Sequence, residues 1–155
     1  MAYKQLINIL TECQFGYRKG YSTQQAIAEI TENFKKAIDS NFYTCGVFLD
    51  FAKAFDTVNH EILLKKLQAY GIRGTPLNWF SNYVTNRKQY VSLNGTNSSL
   101  KTVICGIPQG STVGPLLFLL YINDIVNSSD KLSFRLFADD TNVLLLKTQK
   151  TLKHS

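Results

Sequence analysis

Phe48-Leu49-Asp50-Phe51-Ala52-Lys53-Ala54-Phe55-Asp56 is the stretch on which the reading of this chain turns. It sets a carboxylate at the end of an apolar, strand-like run, where an aspartate is costly unless positive charge meets it. A second run, Phe137-Ala138-Asp139-Asp140, does the same. Two such sites in a chain of 155 residues point to a shared divalent cation. Mg²⁺ takes one or two carboxylates and fills its octahedron with waters and substrate phosphates. Two ions roughly 3.5–4 Å apart would clamp an in-line displacement at phosphorus. Each piece also has a plainer use, since Asp-Asp pairs sit in surface turns and Asp56 can cap a helix. Spacing alone does not name the reaction.

Upstream, Ser22-Thr23-Gln24-Gln25 is a capping-box-like start. Ala26, Ile27, Ile30, Phe34, Ala37 and Ile38 follow at helical spacing and predict a helix over about 23–39. Tyr43 to Phe51 is apolar on both faces, which suits a strand buried in the middle of a sheet. Downstream, Asp56 or Asn59 caps a helix whose apolar face is Leu63, Leu67 and Tyr70, with Gly71 at its end. Pro76 opens a third helix carrying Leu77, Trp79, Phe80 and Tyr83; Trp79 and Tyr83 are expected in the core. Gln89 to Leu93 and Leu100 to Cys105 read as two strands, with the turn signal Asn94-Gly95 between them. A loop, Gly106 to Gly110, precedes an apolar helix from Gly114-Pro115 to about Ile125. Leu132 to Ala138, Asp139-Asp140, and Thr141 to Leu146 then read as strand, turn, strand. This order predicts an α+β domain, a mixed sheet with helices packed on one face.

Composition sets the bounds. A hydrophobic share of 45% and a charged share of 18% are those of a globular chain, not a disordered one. The net charge of +6 mildly favours a polyanionic partner, but the Lys and Arg are scattered. Cys13, Cys45 and Cys105 are odd in number and far apart, which predicts buried free thiols in a reducing compartment. Val113 to Ile122 is too short to span a bilayer, and Met1-Ala2-Tyr3-Lys4 opens no signal peptide. The expectation is an intracellular chain, in nucleus or cytoplasm, without a membrane partner.

Four motifs in order resemble one family. Gln14-Phe15-Gly16-Tyr17-Arg18-Lys19-Gly20-Tyr21-Ser22-Thr23 is similar to the segment joining fingers to palm in reverse transcriptases of non-LTR (LINE-type) retrotransposons. The run ending at Asp56 resembles their first catalytic motif. Gly106-Ile107-Pro108-Gln109-Gly110-Ser111, followed by Gly114-Pro115-Leu116-Leu117-Phe118, resembles the second. Phe137-Ala138-Asp139-Asp140 resembles the third, with Phe in place of the more widespread Tyr.

The resemblance implies a polymerase palm-like fold and an RNA-directed DNA polymerase using two Mg²⁺ ions, with Mn²⁺ as substitute. Asp50 and Asp139 would be the main metal ligands, Asp140 would complete the acidic cluster, and the Phe51 carbonyl would add a ligand. Phe55 would block a ribose 2′-hydroxyl, Gln109 would lie against the incoming sugar, and Gly110 would let backbone approach the nucleotide closely. Arg18, with Lys19, would face template or nucleotide, surface charge being the other reading. Lys53 would face phosphate or solvent. His60, by its place near a helix start, reads as a local hydrogen-bonding residue and not a ligand. The implied partners are an RNA template, a DNA primer and dNTP. Others are the remaining fingers, the thumb and the endonuclease parts of a parent polyprotein. The expectation is thus of a partial domain over 1–155: about 1–42 at the fingers–palm junction and 43–148 as palm core, with partial fingers and no thumb. The alternatives are a catalytically silent fragment with weak nucleic-acid binding, and a phosphohydrolase that uses water as nucleophile.

Overall fold

Residues 6–148 are described by a computed structural model, with backbone alone for 146–148, and they divide into two units: 6–52 with 122–148, and 53–121.

In the first unit, helix α1 (Thr23–Asp39) starts as its capping sequence requires: the Ser22 hydroxyl accepts from the Gln25 amide. Ala26 and Ala37 are buried, whereas Ile27 and Ile38 stand outside the buried stripe at 62% and 74% exposure. Strand β1 (Phe42–Leu49) pairs antiparallel with β7 (Asp140–Thr148), and β7 pairs antiparallel with β6 (Leu132–Phe137). The order β1-β7-β6 corrects the expectation for β1. It is an edge strand, not a central one, and seven of its eight residues are exposed. Apolarity on both faces does not by itself seat a strand centrally; here β7 takes the centre, and a methyl on Gly46 of β1 would lie 3.4 Å from the Phe34 ring of α1. On the other side of the sheet the N-terminal segment joins β6. The Phe15 amide donates to the Leu136 carbonyl and the Leu136 amide to the Cys13 carbonyl, both at 2.8 Å. This parallel bridge at Gln14 is isolated, and the ladders themselves are antiparallel, so the mixed sheet expected from the element order is an antiparallel one. Buried Asn123 ties the same segment down through the Thr11 amide and the Ile9 carbonyl. Leu10, Phe15, Phe134, Leu136 and Leu144 form the core here.

In the second unit, α2 (His60–Ala69) is capped by Asn59, whose Oδ1 accepts from the Ile62 amide at 3.0 Å. Leu63 and Leu67 are fully buried. Helix α3 (Thr75–Val84) has Pro76 in its first turn. Trp79 stacks on Tyr83 (5.3 Å, 11°) and remains 52% exposed, so it covers the helix surface instead of filling the core as expected. The two strands expected downstream are broken into four short ones. β2 (Lys88–Gln89) pairs with β5 (Lys101–Thr102), and β3 (Ser92–Leu93) pairs with β4 (Thr96–Asn97) around left-handed Asn94-Gly95. Between them the Ser98 hydroxyl accepts from the Val91 amide, so a side chain takes the place of a ladder rung. Helix α4 (Gly114–Ile122) is apolar all round and correspondingly buried from Leu116 to Leu120. It ends at Ile122 and passes into a 3₁₀ turn, Asn123–Ser128, earlier than expected.

All three cysteines are free, but Cys45 and Cys105 are exposed and Cys13 is half-buried, against the expected burial. Cys45 owes its exposure to the edge position of β1. Among the described residues no helix is long and apolar enough to cross a membrane.

Candidate active site

The register of β1 on β7 runs Phe48↔Asn142, then Leu49↔Thr141. One step further, Asp50 leaves the strand beside Asp140. Asp140 is the first residue of β7 and pairs across the hairpin with Phe137. The turn is therefore Ala138-Asp139, not Asp139-Asp140 as expected, because Asp140 already occupies a ladder position. Ala138 takes a left-handed conformation there, φ 57. The sheet thus delivers Asp50, Asp139 and Asp140 to one end. Asp50 and Asp140 line a groove of about 470 Å³ with Thr23, Ile27 and Phe34 of α1 and Phe137 of β6.

Asp50 and Asp140 are exposed and Asp139 is half-buried. Among the described residues no Lys or Arg pairs with these carboxylates, and no side chain hydrogen-bonds to them. Nor do three His, Cys, Asp or Glu side chains gather among the described residues into a ready-made metal cage. Mg²⁺ needs no such cage, since one or two carboxylates with waters and phosphates satisfy it. The hard, anionic oxygens at this sheet end fit that ion. Asp50, Asp139, Asp140 and the half-buried Phe51, through its carbonyl, are the residues that would hold it.

Behind the turn lies a contact that sequence reasoning missed. Gln14 is 1% exposed. Its Oε1 accepts from the Gly16 amide at 2.8 Å and the Ala138 amide at 3.0 Å, while its Nε2 donates to the Ala138 carbonyl at 3.4 Å. A Cβ on Gly16 would meet the Ala138 nitrogen at 2.2 Å, so only glycine lets the two backbones touch. Arg18 donates to the carbonyls of Thr11 and Gln14 at 2.8 and 3.1 Å, and lies 4.1 Å over the Tyr21 ring. Its guanidinium therefore organises the 11–21 segment.

The second unit holds the remaining expected site residues. Phe55 stacks on buried Phe118 with centroids 4.5 Å apart. The loop after Cys105 is pinned to the turn around Phe55: the Gly106 amide donates to the Val58 carbonyl and the Ile107 amide to the Phe55 carbonyl. The Gln109 amide donates to Asp56 Oδ1 at 2.7 Å, which is where Asp56 is used instead of as a cap. Gly110 has φ 74 with open space around it. His60 does not make the local bond expected. Its Nε2 lies 2.8 Å from the Gly106 carbonyl, which also accepts from Arg87 at 2.9 Å. Asp56, Arg87 and Gln109 line a polar groove of about 490 Å³.

Comparison with known proteins agrees with these motifs. The family described as reverse transcriptase (RNA-dependent DNA polymerase) matches residues 1–155. The chain is 34% identical over 142 residues to the probable RNA-directed DNA polymerase from transposon X-element of Drosophila melanogaster, covering 87% of this chain and 15% of that protein. It is 31% identical over 152 residues to the RNA-directed DNA polymerase from mobile element jockey of the same species, covering 91% of this chain and 16% of that protein. It is 32% identical over 123 residues to the probable RNA-directed DNA polymerase from transposon BS, covering 76% of this chain and 13% of that protein. These relatives are several times longer than the chain.

Proposed function

This chain belongs to the reverse transcriptase family, and from that premise we propose that it is the palm portion of a non-LTR retrotransposon RNA-directed DNA polymerase. The observation that supports the proposal is the β1–β7 register, which ends at Leu49↔Thr141, one residue short of Asp50 on one strand and of Asp140 on the other. In the proposed reaction a primer 3′-hydroxyl attacks the α-phosphate of a dNTP, the α–β phosphoanhydride bond breaks, and pyrophosphate leaves. Bound Mg²⁺ would supply Lewis-acid stabilisation of the attacking and leaving oxygens. The contribution of the chain is placement. Asp50, Asp139 and Asp140 would concentrate negative charge where the ions are wanted, Asp140 from the first position of β7 and the other two from the residues that adjoin the strands.

Phe55 is assigned to exclusion of a ribose 2′-hydroxyl, its ring steadied by Phe118. Gln109, its amide oriented by Asp56, is assigned to the sugar of the incoming nucleotide, and Gly110 to close approach of the backbone to that nucleotide. Template, primer and dNTP are the proposed partners, together with the rest of a longer polyprotein. Primer extension on an RNA template with Mg²⁺, run beside Asp139→Asn, tests the reading. The parent chain is expected to extend and the variant not to. Extension by neither chain, or by both alike, overturns the proposal; the first of these outcomes favours a catalytically silent member of the family.

A further inference from the structure

We infer that Gln14 is a positioning residue for the acidic turn, acting on Asp139 through the backbone of Ala138. The inference rests on the assignment of Asp139 to the metal-binding end of the sheet. Three observations carry it. Ala138 holds a left-handed φ of 57, which an L side chain resists. Both its amide and its carbonyl are engaged by a single side chain, that of Gln14, which comes from 124 residues away and is almost wholly buried. The same Gln14 oxygen also holds the amide of Gly16, whose bare Cα lets that segment press directly on Ala138.

A buried glutamine is kept only where its amide is satisfied. Here the bonds of its side-chain amide converge on this turn and on the backbone that touches it. The residue it fixes is the one immediately before Asp139. Turning the Ala138 backbone out of the left-handed region redirects the chain through Asp139, so the clamp sets where that carboxylate is offered. The two-residue hairpin turn asks for a left-handed first residue, and alanine supplies that conformation less readily than glycine would, so the clamp supports what the side chain at 138 resists.

The test uses the full 155-residue chain. In the parent, hydrogen exchange followed by NMR should find the Ala138 amide protected as well as the ladder amides of β7, although it lies in a turn. Exchange at the rate of an open turn amide overturns the inference without any variant. Gln14→Ala should speed exchange at Ala138 and weaken Mn²⁺ binding, read by electron paramagnetic resonance, by about tenfold, the equivalent of about 1.4 kcal/mol. In primer extension it should lower kcat while leaving the KM for dNTP unchanged. Ala138→Gly added to Gln14→Ala should restore part of the Mn²⁺ affinity, because glycine accepts this φ unaided. A Gln14→Ala chain that melts lower but keeps parental Mn²⁺ affinity and parental exchange at Ala138 overturns the inference. A parent that shows the exchange and Mn²⁺ results but extends no primer refutes the proposed polymerase function and leaves the clamp standing.

Discussion

Gly106 and Gly110 offer a controlled comparison within one loop. Both are left-handed, with φ 86 and 74. A Cβ on Gly110 meets nothing within 4 Å, whereas on Gly106 it would lie 2.7 Å from the Asp56 carbonyl oxygen and 3.0 Å from the Asp56 carbonyl carbon and Cα. The left-handed region costs an L residue about 1–2 kcal/mol, so Gly110→Ala should lose about that much stability. Gly106→Ala carries the same term and adds overpacking of about 1–3 kcal/mol. The upper half of that range applies, because the obstacle is backbone and has no rotamer to escape into. The variants should therefore differ by about 2 kcal/mol, with Gly106→Ala the weaker. For a chain of this size that is a melting-temperature gap of roughly 4–8 °C. Urea titration at 25 °C and thermal unfolding followed by circular dichroism give both numbers. Equal losses, or a larger loss for Gly110→Ala, would show that Gly106 does not face the Asp56 backbone as described.

Asp50→Asn and Asp139→Asn should each abolish primer extension while leaving the melting temperature close to the parent's, as read by circular dichroism. Millimolar Mg²⁺ or Mn²⁺ should raise the melting temperature of the parent and not that of Asp139→Asn; binding at a hundredfold excess over Kd is worth about 2.7 kcal/mol. Phe55→Val should admit ribonucleotides, measured as the ratio of kcat/KM for dNTP to that for rNTP, and an unchanged ratio removes Phe55 from the role of gate. Thr141 is fully buried and its hydroxyl is without a partner among the described residues, so Thr141→Val should stabilise the chain by about 1 kcal/mol in urea titration.

The legible parts of this fold are those set by short-range chemistry. Ser22, Asn59 and Pro76 announce helix starts because capping needs only the next few amides. The turn at Asn94-Gly95 follows from the left-handed angles those residues tolerate. The two acidic motifs were legible as motifs, and the pairing of β1 with β7 then brought them together. The seat of β1 was not legible, because FYTCGVFL has the same composition whether one or both of its edges are paired. Gln14 was unreadable for a related reason: its partner Ala138 lies 124 positions away, and a glutamine in sequence carries no sign of where its amide points. The place of His60 near a helix start suggests a local bond, whereas its ring reaches the Gly106 carbonyl at a separation of 46 residues.

The edge position of β1 has a practical side. From Phe42 to Leu49 the strand carries no charge and no proline, and Phe42, Tyr43, Val47, Phe48 and Leu49 are all substantially exposed. Proteins commonly guard such borders with lysine, proline or a bulge, because an unguarded row of amides and carbonyls recruits a second chain in register. Among the described residues this border has none of those guards, so concentrated solutions of the isolated chain invite strand-on-strand clumping, and a lysine at an exposed position such as Val47 is the natural first change for keeping it dispersed.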